Sequence, residues 1–322
     1  MPASPKLLVA DSFRVRLNPR TGDAEARDLR GHFSRFEQAA LEAWCGRPAY
    51  EGAEAELRAE ARETLRRAGI TPSPEFETTQ MLLIPRWPTP EEQRVLAIID
   101  GFLAEARSRI AAYGEGWPRL ELWAESGAPG DVDAPAARPE LRLSLRPLPE
   151  LHERVELRTA GHLELAHPQR KGPNIARFSE LNRELGAEAI LTDERGRVRE
   201  GATTSLVWWE PETGAAADAA RVTGRGFVSA SEQRVASVTE SLLVEASGHG
   251  RSVRGDRSRL ERAFATPAEL VRCEVWAVNA LHGIRVVTSI DGVPLPPSDE
   301  DRLAWFRQGL DDAWAPVFED AR

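Results

Sequence analysis

The sequence predicts an α+β chain of two domains, and three observations carry that reading. At 322 residues with 41% hydrophobic content the chain is long enough to bury two ordinary cores. Runs of strand-like alternation are mixed with segregated helical stretches. Near residue 157 the pattern shifts from strands plus helices to a strand-rich remainder. The expected units are therefore a small α/β domain over residues 1–157 and a larger, strand-rich domain over residues 158–322.

Residues 7–16 read as the opening strand, and residues 29–44 as a turn followed by a short helix. A charged helix is expected over residues 51–67, stopped by Gly69. A helix with stronger signals starts at Thr89-Pro90-Glu91-Glu92, where Thr89 is the N-cap, Pro90 the first helical position and Glu92 the closing residue of a capping box. Val95, Leu96, Ile99, Leu103 and Ile110 form its apolar face, and Gly114 ends it. Residues 119–124 and 141–147 alternate as strands on either side of a Gly/Pro/Asp-rich loop over residues 126–138. In the second half, Ile175, Phe178, Leu181 and Leu185 share one helical face that Gly186 stops. A hairpin follows: residues 189–192, turn chemistry at Asp193-Glu194-Arg195-Gly196, and residues 197–200 returning. The apolar strand Leu206-Val207-Trp208-Trp209 comes next, then an Ala-rich connection over residues 212–220.

Composition narrows the function. The formal charge is −9, with 42 basic and 51 acidic residues interspersed, which argues against nucleic acid and anionic membranes as partners. Cys45 and Cys273 are too few for a disulfide framework and point to a reducing interior. No leader and no run of 18 apolar residues stands out, so a cytoplasmic protein is expected. Hydrolase and nucleotide motifs are missing, and His162 and His167 lack the partners a zinc site needs. No metal is expected.

Only two of the 42 basic residues are lysines, Lys6 and Lys171. Where arginine fills the surface, a mid-chain lysine is a candidate for chemistry a guanidinium cannot do, because an amine can lose its proton and form an imine. Lys171 opens Lys171-Gly-Pro-Asn174. About thirty residues on, the hairpin returns Glu200 in Gly196-Arg-Val-Arg-Glu200-Gly-Ala-Thr-Thr-Ser205. Taken singly, a stray lysine and a solvated strand-end glutamate are the plain alternatives. Ser237-Val238-Thr239-Glu240 has the form of a capping box opening a helix over residues 238–246, an end that favours an anion.

These motifs resemble the class IV aminotransferases of pyridoxal-phosphate fold type IV, the D-amino-acid aminotransferase-like fold, which include branched-chain and D-amino-acid aminotransferases and aminodeoxychorismate lyases. The resemblance implies that Lys171 binds pyridoxal 5'-phosphate as a Schiff base and that Glu200 pairs with the pyridine nitrogen. A carboxylate there keeps the ring cationic and able to accept electrons. It further implies that Val238 and Thr239 hold the phosphate, and that Arg35, in Gly31-His-Phe-Ser-Arg-Phe36, reaches it from the small domain. In Val275-Trp-Ala-Val-Asn-Ala-Leu-His-Gly-Ile284, Ala280 and Leu281 would offer backbone N–H groups to it. His282 is either a substrate contact or a structural histidine.

Three departures qualify the match. Ile175 stands where branched-chain enzymes carry tyrosine, Ser205 where asparagine is common in the cofactor site, and Ala236-Ser237 where Pro-Gly is usual. With Asn279-Ala280-Leu281, the first leans towards 4-amino-4-deoxychorismate lyase, releasing pyruvate and 4-aminobenzoate. An amino-acid aminotransferase of D-amino-acid or branched-chain type is the alternative, and a catalytically silent cofactor-binding relative a third. A small-molecule amine or amino-acid substrate and a homodimer are implied.

Overall fold

The computed structural model describes residues 5–46, 88–124, 139–211, 225–249 and 259–318. The helix expected over residues 51–67, the loop over residues 126–138 and the connection over residues 212–220 lie outside them.

The opening segment folds as two strands, β1 (Lys6–Ser12) and β2 (Val15–Leu17), not one. Phe13 is fully buried at the break, and Arg14 donates its backbone N–H to Ala280 O across the molecule. After β3 (Ala24–Arg27), Asp28 caps α1 (Leu29–Cys45) by accepting from Gly31 N. This helix runs 17 residues, longer than expected, until Gly46 enters the left-handed region. The next helix, α2 (Pro90–Tyr113), has the Thr89/Glu92 capping box in both directions and ends at Gly114. Strands β4 (Arg119–Ala124) and β5 (Glu140–Ser144) complete an antiparallel sheet in the order β1-β4-β5. Phe33, Phe36 and Ala40 of α1 and Val95, Ile99, Leu103 and Ile110 of α2 pack against its Val9, Leu120 and Leu122. That interlock is the core of the first unit.

The larger sheet uses β6 (Arg154–His162), β7 (Glu188–Thr192), β8 (Val198–Gly201), β9 (Ser205–Trp209), β10 (Gly226–Ser229), β11 (Leu260–Ala263), β12 (Glu274–Asn279) and β13 (Gly283–Ile290). Their order is β11-β10-β9-β12-β13-β6-β7-β8, with β14 (Val293–Pro294) pairing β13. The sheet curls until its ends meet, Val198 N donating to Ala265 O at 2.7 Å and Ser229 Oγ to Val198 O at 2.9 Å. Side chains along β9 alternate as a period of two requires. Leu206 and Trp208 pack with Leu157, Ile190 and Phe227 on one face, whereas Val207 and Trp209 pack with Trp276 on the other. Leu243 of α4 (Val238–His249) covers that second face, with Leu303, Phe306 and Leu310 of α6 (Glu300–Asp312). Two shorter helices complete the described set: α3 (Ile175–Leu185), between β6 and β7, and α5 (Pro267–Leu270).

The expected division at residue 157 falls inside β6, a strand of the large sheet. The chain also returns, because β15 (Trp314–Pro316) pairs with β3 in a third sheet, β15-β3-β2. Arg16 and Arg27 each place a guanidinium 4.4 Å from the Trp314 ring centroid. Among the described residues no helix is long and apolar enough to cross a membrane. Neither cysteine forms a disulfide.

Candidate functional site

Lys171 lies between β6 and α3, where the chain is docked directly on β1. Its carbonyl accepts from Ala10 N at 2.8 Å. Gly172 follows at φ +136°, and a Cβ there would sit 2.6 Å from Ala10 N and 2.7 Å from two Val9 backbone atoms. Glycine is required for this close approach. The lysine's amine is thereby delivered to the side chains of β1, with Nζ 3.5 Å from Asp11 Oδ1. Burial pulls its pKa down to about 8, against the opposing pull of Asp11.

Asp11, 1% exposed, was not legible as a site residue. Arg35 holds it by two hydrogen bonds, Nε to Oδ2 at 2.7 Å and Nη2 to Oδ1 at 2.8 Å, and His32 Nδ1 lies 3.1 Å from Oδ1. Burial alone would raise its pKa; Arg35, Lys171 and His32 outweigh that and keep it well below the ordinary value. The third arm of Arg35 donates from Nη1 to Ala236 O at 2.6 Å, fixing the guanidinium at the turn into α4.

At that turn the first intrahelical bond runs from Ser241 N to Ser237 O, 3.0 Å. The N–H groups of Val238 and Thr239 precede it and have no intrahelical acceptor, so this end of a 12-residue helix favours an anion. The capping box expected here is half formed. Ser237 Oγ accepts from Glu240 N at 3.2 Å, but the Glu240 carboxylate takes Arg234 at 2.6 and 2.8 Å instead of reaching back. A buried, bidentate guanidinium partner outcompetes a single backbone N–H.

Glu200 enters from β8, opposite Leu191 of β7. It is 6% exposed; Oε2 accepts from Val235 N at 3.3 Å, whereas Oε1 is buried with no hydrogen-bond partner. Burial pushes its pKa up to about 8, against Val235 N–H and Arg199. Ser205 is buried at the start of β9, beyond a turn that Glu188 holds. Glu188 accepts from Thr203 N at 2.7 Å, from both threonine hydroxyls and from Asn182 Nδ2. Sequence reasoning missed Glu188, since a glutamate opening a strand carries no signal of burial.

Ala280 and Leu281 lie in the turn between β12 and β13. The Leu281 N–H donates to Asn279 Oδ1 at 3.1 Å, with His282 N doing the same at 2.9 Å. An asparagine side chain folding onto its own turn satisfies these donors. His282 Nδ1 accepts from His152 N, and burial beside Arg285 drops its pKa to about 4.

One cavity of about 340 Å³ brings the sequence-predicted site residues together, while Asp11 lies off its lining. Arg35, Lys171, Glu200, Ser205, Val238, Thr239, Ala280 and Leu281 all line it, as do Arg119 and Arg146 of the small-sheet side. Arg146 is fixed by donation to Ser12 Oγ and Trp117 O, both at 3.1 Å, and Arg119 Nε sits 2.9 Å from Glu121. The volume is in the range of small-molecule sites. Chemically, the donor set fits an aromatic cofactor with three handles: an aldehyde for the amine of Lys171, a protonated ring nitrogen for the orphaned Glu200 Oε1, and a phosphate for the start of α4.

No protein-family model matches the chain, and no curated protein matches its sequence significantly. Solved structures do match. A T.th. branched-chain amino acid aminotransferase with pyridoxamine 5'-phosphate has a TM-score of 0.60 at 16% identity, over 96% of this chain and 89% of that one. The Thermoproteus uzoniensis branched-chain aminotransferase with norvaline has 0.58 at 14% identity, over 96% and 90%. A Legionella pneumophila protein provisionally named 4-amino-4-deoxychorismate lyase has 0.53 at 12% identity, over 95% and 91%. The chain has the fold these proteins share.

Proposed function

We propose that this chain is a pyridoxal-phosphate-dependent enzyme acting on a small amine or amino acid, with Lys171 as the residue that binds the cofactor and moves the proton. The observation that carries this reading is that Glu200, whose Oε1 is buried and unpartnered, lines the same cavity as the partly buried Lys171. A buried carboxyl oxygen without a donor is costly unless a ligand supplies one. When bound, pyridoxal phosphate supplies an electron-accepting ring that stabilises negative charge on the carbon bearing the substrate nitrogen. Glu200 keeps the ring nitrogen protonated, Val238 and Thr239 N–H groups take the phosphate with Arg35 beside them, and Ser205 lines the pocket. Lys171, with a pKa of about 8, is partly unprotonated at neutral pH and can accept a proton at Nζ. Arg119 and Arg146 form a cationic wall suited to substrate carboxylates.

Within this class we favour 4-amino-4-deoxychorismate lyase. Ile175 in place of tyrosine and the Asn279-Ala280-Leu281 turn support it, as do two wall arginines for a substrate with two carboxylates. Its reaction splits one substrate into pyruvate and 4-aminobenzoate, so no second substrate is consumed. An amino-acid aminotransferase is the second reading, favoured by the likeness to branched-chain aminotransferases. Steady-state assays with aminodeoxychorismate, scored for both products, separate the two. Amino transfer dependent on a keto acid, without pyruvate release, overturns the lyase assignment. A purified protein that develops no visible absorbance with the cofactor overturns both and leaves a silent relative. A homodimer is part of the proposal, to be checked by sedimentation.

A further inference from the structure

Three basic side chains converge on Asp11. Its Oδ1 alone faces Arg35 Nη2 at 2.8 Å, His32 Nδ1 at 3.1 Å and Lys171 Nζ at 3.5 Å. Two independent features fix the lysine's backbone at this place. The Ala10 N to Lys171 O bond ties it to the residue preceding Asp11, and Gly172 packs against the Val9–Ala10 backbone too closely for any side chain. The carboxylate is held just as firmly by the two-armed Arg35 contact. Around the amine the charged and titratable groups are Asp11 on β1, Arg35 and His32 on α1, and Arg119 on β4. His32 is buried and its pKa is lowered by that burial, which keeps it neutral. Without Asp11, therefore, the amine of Lys171 faces two guanidinium groups and no anion.

We propose that Asp11 is a positioning residue for Lys171: its carboxylate receives the free amine, fixes where it rests and stabilises the proton on Nζ between proton transfers. The proposal rests on Lys171 being the cofactor-binding lysine. Arg35 and His32 are its supports, orienting the carboxylate so that one oxygen stays turned towards the lysine. A carboxylate 3.5 Å from an amine stabilises the charged form strongly in a partly buried site, and the proton's residence on Nζ follows from that pairing.

The chain contains two lysines, so ¹³Cε-lysine NMR of the cofactor-free protein resolves Lys171 with Lys6 as an internal control. In wild type the Lys171 resonance is expected to titrate near pH 8. Asp11→Asn should lower that midpoint by about one pH unit or more, leave Lys6 unmoved, and carry the acid limb of the kcat profile down by the same amount. Asp11→Glu, which keeps the charge and moves it by one methylene, should restore most of the shift. Asp11→Ser leaves Arg35 a hydroxyl acceptor without the charge, and gives the same reading if the asparagine variant does not fold. A Lys171 midpoint that stays at the wild-type value in the uncharged variant overturns the proposal. Pyridoxal phosphate added to wild type checks the premise separately. No visible band removes the premise, whereas a band together with an unmoved midpoint in Asp11→Asn overturns the role of Asp11 alone.

Discussion

Glu200→Gln should change how the cofactor-free protein's stability depends on pH, in a direction set by burial. The folded-state pKa of Glu200 is about 8, against an ordinary value of 4.5. Between these values the folded chain retains a proton that the unfolded chain has lost, so stability falls as pH rises. Each unit is worth about 1.4 kcal/mol, and from pH 5.0 to 7.5 the loss sums to about 3 kcal/mol. Other groups also contribute. The lowered pKa values of His32 and His282 add an opposite slope below pH 6.5, but they do so equally in both proteins. Lys171, lowered to about 8, gains stability only above that pH. The difference between wild type and Glu200→Gln therefore isolates the carboxyl. Urea unfolding at pH 5.0 and 7.5 measures it: the glutamine variant should gain about 3 kcal/mol on wild type at the higher pH relative to the lower. Adding pyridoxal phosphate should remove the wild-type slope, because the ring nitrogen gives Oε1 its missing partner. Parallel stability curves for the two cofactor-free proteins would refute the reasoning.

Other perturbations read different parts of the site. Gly172→Ala puts a Cβ 2.6 Å from a backbone nitrogen at a φ that disfavours side chains, and should cost more than about 2 kcal/mol in urea unfolding. Glu188→Gln leaves the buried Arg285, 3.7 Å away, without its anion, and should cost about 3 kcal/mol; the same urea titrations check it. Arg146→Met should raise KM about tenfold for a dicarboxylic substrate, the worth of one charge-assisted hydrogen bond, with little effect on a monocarboxylic one. Equal effects on both would remove Arg146 from substrate binding.

What the sequence disclosed followed from local signals. Arginine bias exposed Lys171, turn chemistry placed the hairpin that returns Glu200, and a Ser-x-x-Glu segment marked the start of α4. Contacts between distant segments were hidden. Asp11 precedes Lys171 by 160 positions, and nothing at Asp11 distinguishes a buried counter-ion from a solvated strand charge. Arg119 and Arg146 were hidden in the same way among many arginines. β6 went unread because Arg154, Glu156 and Arg158 alternate along it like surface charges, although its parallel neighbours β13 and β7 enclose it. β15 is three residues long, and its partner strand lies nearly 290 residues away. At Leu281 the N–H pairs with Asn279 Oδ1, a contact within its own turn that the sequence segment did not announce.

Reductive trapping tests the central claim most directly. The protein is incubated with pyridoxal phosphate, reduced with borohydride, digested and analysed by mass spectrometry, with Lys6 and Lys171 as the two lysine acceptors. Label on Lys171, lost in Lys171→Arg together with the visible band and turnover, is the predicted result. Label confined to Lys6, or a Lys171→Arg variant that still turns over substrate, would contradict it.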